Sequence, residues 1–136
     1  MIKLPVVLLL LLLSPALAMS QDTDNNILPP CPDSPNCVRA SYTYDLVPSA
    51  LADHVMAVFK DMKAESIDIG DADLHEIKAV FKIMGFRDDV HVMIIPDQQG
   101  AVLYIRSASR VGHSDLGVNK RRVNKIVKKL EASIAS

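Results

Sequence analysis

Tryptophan is absent from this chain, and aromatic residues make up only 4% of its 136 positions. Together with a formal net charge of −1, that scarcity argues against a nucleic-acid surface, which stacks bases on aromatics set among basic side chains. Two cysteines are too few for the multi-bridge framework of a disulfide-rich mini-protein. No repeating period runs through the chain, so repeat arrays, coiled coils and collagen-like chains are excluded. The nucleophile elbow G-x-S-x-G, the phosphate-binding loop and the dinucleotide fingerprint are all missing. No pair among His54, His75, His91 and His113 has the helical spacing of a zinc site. Asp68, Asp71 and Asp73 do not fit the twelve-residue calcium loop. The sequence therefore predicts neither metal nor cofactor.

One long apolar run is present, and it is N-terminal. Lys3 precedes Pro5 to Leu13, Ser14 and Pro15 break the run, and Ala16-Leu17-Ala18 supplies small residues where a signal peptidase reads them. Residues 1–18 are read as a signal peptide, because the run is shorter than the roughly 20 apolar residues a membrane span needs. The expectation is an exported protein, periplasmic or extracellular, with no stable membrane span after cleavage. Residues 19–30 are polar and then proline-rich, and read as a flexible leader. Residues 31–136 then form a single domain.

Within Cys31-Pro-Asp-Ser-Pro-Asn-Cys37 every residue between the cysteines favours a turn. In an exported chain the two thiols are expected to pair. The loop is so short that the bond should contribute less than about 3 kcal/mol.

Beyond the loop, hydrophobic periodicity marks the elements. Leu51, Val55, Val58, Phe59 and Met62 make a helix over 49–63, with Ser49 as its cap. From Leu74 the period drops to two, with His75, Ile77, Ala79, Phe81 and Ile83 on the core side. Val90 to Ile95 and Ala101 to Ser109 make two further strands around a loop at 98–100, and Ser66 to Gly70 a possible fourth. Val123, Ile126, Val127, Leu130 and Ile134 form the stripe of a closing helix from Leu116, capped by Ser114 or Asp115. Hairpins between two helices predict an α+β two-layer sandwich. It would have an antiparallel sheet of three to four strands and both helices on one face. Glu76, Lys78, Asp89, His91, Tyr104 and Arg106 should line the other, wetter face.

The stretch from Arg106 to Arg122 carries the densest polar chemistry. Arg106, Ser107, Ser109, Arg110, Ser114, Asp115, Asn119 and Arg122 run from a strand through a glycine-bearing loop into a helix start. Arginines beside free helix N–H groups suit a phosphate, sulfate or carboxylate. Asp88 and Asp89 open the preceding strand and are the natural polar partners. Residues 101–136 hold eight basic and two acidic side chains, against six and fourteen in 19–100, which permits an anionic partner for the C-terminal part. Three readings stay open. The first is a binding module for an anionic small molecule or an envelope protein. The second is an enzyme using Asp88 and Asp89 with His113 as proton carrier. The third is a structural accessory protein. Exposed arginines would favour the first, a cleft joining those groups the second, and a fully paired Arg–Asp network the third.

Three blocks carry a resemblance: Cys31-Pro-Asp-Ser-Pro-Asn-Cys37-Val38, Gly85-Phe86-Arg87-Asp88-Asp89-Val90, and Arg106-Ser-x-Ser-Arg-x-Gly-x-Ser-Asp-x-Gly-x-Asn-x-x-Arg122. Together they resemble the uncharacterised family called domain of unknown function 1499. The resemblance implies exported or membrane-associated bacterial proteins, with relatives in plastids, and no established activity. Lys82 and Ile83 stand where the family often ends an aromatic strand with threonine.

Overall fold

A computed structural model describes residues 25–112 and 114–136. The expected signal peptide and the first half of the expected leader lie outside the described residues, as does His113. The elements run β1 (Cys37–Tyr44), α1 (Pro48–Asp61), β2 (Ser66–Ile69), β3 (Ile77–Ile83), β4 (Phe86–Asp97), β5 (Gly100–Ser109) and α2 (Val118–Ile134). All five strands form one antiparallel sheet in the order β1-β5-β4-β3-β2. The α+β class is as expected, with five strands in place of three or four.

Strand alternation sorts the sheet into two faces. Ala40 and Tyr42, Ile77, Ala79 and Phe81, Val90, Val92 and Ile94, and Ala101, Leu103 and Ile105 are buried on one of them. Leu51, Val55, Val58 and Phe59 of α1 meet this face, as do Val123, Ile126 and Leu130 of α2. Phe59 packs edge-on against Phe81 at 5.7 Å.

The additional strand is β1, which pairs with β5 from Cys37↔Ala108 to Tyr44↔Ala101. Its period of two was present in Ala40 and Tyr42 against Arg39, Ser41 and Thr43. With only two core residues, one of them alanine, the hydrophobic signal is faint. Before it, Asn26 and Leu28 are buried inside the stretch expected as leader. Asn26 Nδ2 donates to the Ala40 carbonyl. The bond between Cys31 and Cys37 is present.

Three local expectations are corrected. Ser49 does not cap α1: Val47 stands at the cap without a side-chain bond and Pro48 opens the helix, a position where its missing N–H costs nothing. The third strand begins at Ile77 rather than Leu74, because His75 has a φ of 41° and breaks the extended run. Helix α2 begins at Val118 rather than Leu116, with Gly117 at the cap position and a φ of 78°. There the expectation for Asp115 holds, since its carboxylate accepts the N–H groups of Gly117 at 2.8 Å and Asn119 at 2.9 Å.

Candidate functional site: a polar clamp and an open sheet face

At one end of the core face, polar residues replace apolar ones. Asp88 continues the buried set of β4 and Ser107 that of β5. The first turns of α2 bring Asn119 and Arg122 over them, and all four are buried. Arg122 Nη2 meets Asp88 Oδ2 at 2.5 Å, with the two side chains 7% and 2% exposed. Arg122 Nη1 donates to Asn119 Oδ1 at 2.8 Å and to Ser107 Oγ at 3.2 Å. Ser107 in turn donates to Asn119 Oδ1 at 2.6 Å. The Asn119 amide nitrogen shares its two hydrogens among Asp115 Oδ2, Ser109 Oγ and the Asn36 carbonyl. Asn36 Nδ2 completes the frame by donating to the Gly112 carbonyl. The Arg122 guanidinium also lies 5.4 Å from the Phe81 ring centre.

This clamp ties the cysteine loop, β4, β5 and α2 together, and its members are occupied with one another. Burial pushes the Asp115 carboxyl up, but bonds from the Asn119 backbone and side chain and from the Gly117 backbone outweigh it. The group ends below the ordinary carboxylate range. Ser114 is exposed and accepts the Leu116 N–H at 3.4 Å.

Adjacent strand residues point to opposite faces, so Asp88 and Asp89 are not brought together. Asp89 lies on the helix-free face, where Arg110 grips it with two bonds of 3.0 and 2.8 Å. Both side chains are about half exposed, at 47% and 50%. Arg106 also faces away from the clamp. Neither aspartate engages it; their partners are Arg122 and Arg110.

The register gives Arg106 different neighbours. Arg39 faces it from β1 and His91 from β4, and Lys78 of β3 faces His91 in turn. Four basic side chains thus form one row across four strands of the open face. At one end of the row Glu76 supplies the counter-charge. Its Oε1 lies 2.7 Å from His91 Nε2 and 2.9 Å from Lys78 Nζ. Its Oε2 accepts the Asp71 N–H at 2.9 Å. The Asp71 backbone bond, with Lys78 and then His91, holds the Glu76 carboxyl down to about 2. Gly70 allows this seat, because a Cβ there would collide with the carboxylate. At the other end Arg39 donates to the Leu28 carbonyl at 3.0 Å. In the middle, the Nε of half-buried Arg106 is buried and has no hydrogen-bond partner among the described residues. The Tyr44 hydroxyl shares that condition, and burial pushes its phenol up.

Sequence reading placed Glu76, Lys78, His91 and Arg106 on the wet face but did not join them. Without β1, Arg39 had no place in the sheet, and the register that aligns the row was not legible. Among the described residues no group of three or more His, Cys, Asp or Glu is placed to hold a metal ion.

Fold and site together define a small α+β domain built on a five-stranded antiparallel sheet, with a buried polar clamp under its second helix and a basic row on the opposite face. The chain belongs to the family described as protein of unknown function DUF1499, which it matches over residues 27–130. No curated protein matches it. Among solved structures it is similar to a crystallised protein from Chromobacterium violaceum. The two share 14% identity at a TM-score of 0.46, over 72% of this chain and 96% of that one.

Proposed function

We propose that this protein is an exported binding domain that receives an anionic group on the open face of its sheet, at Arg106. The observation that carries the reading is the Arg106 guanidinium, which faces Arg39 and His91 across the sheet, with its buried Nε unpartnered among the described residues. Like charges facing one another across strands are unfavourable, and a buried donor without an acceptor is costly. An anion seated on the exposed part of the Arg106 guanidinium offsets its charge. A planar carboxylate or a phosphate group fits, because guanidinium binds such groups bidentately. The ligand is a small anion or an acidic group on an envelope component. Export is supported by the apolar run ending in Ala16-Leu17-Ala18 and by the Cys31–Cys37 bond, a kind that persists in oxidising compartments. Arg110 is occupied by Asp89 and takes a secondary part.

A second reading, an accessory protein without a ligand, rests on the clamp, where Ser107, Asn119, Arg122 and Asp88 are fully partnered.

Thermal unfolding of the purified protein with phosphate, sulfate and dicarboxylates tests the first reading. One anion at about 100 times its dissociation constant should add about 2.7 kcal/mol, a rise of roughly 8–16 °C for a domain of this size. The rise should be absent in Arg106→Ala. A panel without effect on wild type leaves the accessory reading.

A further inference from the structure

We infer that the end of the molecule formed by the β3–β4 turn docks on an anionic lipid surface. Among the described residues eight large apolar side chains are exposed, and five of them, Ile83, Met84, Phe86, Val111 and Leu116, lie at this end, three on the β3–β4 hairpin and two on the β5–α2 connection. Ile83 pairs with Phe86 across the hairpin, with Met84 at its tip. Val111 follows Arg110, whose N–H bonds the Arg87 carbonyl beside Phe86. Leu116 is held beside the same end, since its carbonyl accepts Arg121 Nη1 and Arg121 lines a groove with Ile83. Met84, Leu116, Val111 and Phe86 are 91%, 85%, 59% and 58% exposed.

That groove, of about 290 Å³, is also lined by Lys82, Arg122 and Lys125, and among the described residues no carboxylate lines it. Arg122 is neutralised by Asp88 below, which leaves Lys82, Arg121 and Lys125 as the cationic rim. An apolar tip inside a cationic rim has the composition of a surface that inserts side chains among lipid tails while its bases meet phosphate headgroups. Side chains protruding from separate turns would each need a matching pocket on a rigid protein. A bilayer receives them all without one. The row around Arg106 lies farther along the strands, so this surface does not depend on it.

The absence of tryptophan makes the test direct, because Phe86→Trp carries the only indole in the chain. Its emission is followed against vesicles of phosphatidylcholine alone and vesicles containing about a third phosphatidylglycerol. The expected result is a blue shift with the anionic vesicles, at an apparent affinity at least about 10-fold tighter than for the neutral ones, weakening in high salt. Lys82→Glu with Lys125→Glu should abolish that preference. Val47→Trp, at the opposite end of the sheet and 63% exposed, should not shift. Both indole positions are exposed, so both variants should melt as wild type does, and Leu116→Trp repeats the measurement from a second turn. Indole emission at 86 and 116 that ignores lipid overturns the proposal. So does a blue shift that grows with protein concentration in the absence of lipid, which would assign the tip to a second copy of the chain.

Discussion

Arg122 and Arg106 stand on opposite faces of one sheet and show what each face asks of a guanidinium. On the helix-covered face Arg122 is 7% exposed in its side chain and meets Asp88, Asn119, Ser107 and the Phe81 ring. On the open face Arg106 is half-buried, flanked by Arg39 and His91, and its Nε bonds nothing among the described residues. A charge taken out of water is tolerated only when its donors are satisfied. The covered face satisfies them from within. The open face leaves that to water or a ligand. The difference separates a guanidinium built into the fold's own polar network from one whose neighbours across the sheet are themselves basic.

The largest expected effect is on the covered face. Arg122→Ala leaves the Asp88 carboxylate, 2% exposed, without its counter-charge, and strands Asn119 Oδ1 with one donor fewer. Breaking one half of a buried pair costs about 3–5 kcal/mol, so the melting temperature should fall by roughly 10–25 °C. Replacing both partners, Arg122→Leu with Asp88→Leu, should recover a large part of that loss, because no charge is then buried alone. Differential scanning calorimetry of the single and double variants checks both statements. A double variant no better than the single one would mean that the clamp acts through Ser107 and Asn119 rather than through charge.

A middle effect belongs to the open face where it is satisfied. The Glu76 carboxyl is held down to about 2, below its ordinary value of 4.5. A lowered carboxyl stabilises the fold at pH values above the ordinary value. That contribution is lost as pH falls from about 4.5 towards 2. Glu76→Gln should therefore cost about 1–2 kcal/mol near neutral pH, a modest figure because its partner Lys78 is 56% exposed and solvent screens the pair. The gap between wild type and variant, read from urea midpoints, should close across the acid window. Gly70→Ala should reproduce the loss, since its Cβ would push the carboxylate off the Asp71 N–H. A gap that persists at pH 2 would assign the loss to packing instead of charge.

The same comparison explains what was legible beforehand. Apolar alternation announced Ile77 to Ile83 and Ala101 to Ser109, and a helical stripe announced the closing helix. Where a polar residue takes a core position the pattern fails. Asp88 sits in the buried set of β4, so the apolar signal begins only at Val90, with Asp88 and Asp89 as its polar opening and Phe86 and Arg87 outside the expected strand. His75 fitted the alternation but turns the chain with a positive φ. Glu76 fitted the wet face yet is 9% exposed, because Asp71, Lys78 and His91 enclose its carboxylate. Composition and spacing named the polar residues of the run from Arg106 to Arg122. Only the register divided them between a clamp and an open face.

The smallest expected effect is the most informative. Arg106→Ala should change the unfolding free energy without ligand by no more than about 0.5 kcal/mol, in either direction. No hydrogen bond of the Nε to a described residue is lost, and the like-charge contact with Arg39, worth roughly 0.2–1 kcal/mol, is relieved. Removing its half-buried aliphatic stem from the face it shares with Tyr104 and Ala108 opposes that gain. Urea unfolding of Arg106→Ala beside Arg122→Ala puts the two guanidinium groups on one scale. A near-zero change at 106 against several kcal/mol at 122 means that the open-face arginine is held in place without supporting the fold. Equal losses at both would make Arg106 a second structural clamp, and the division between the two faces would fail.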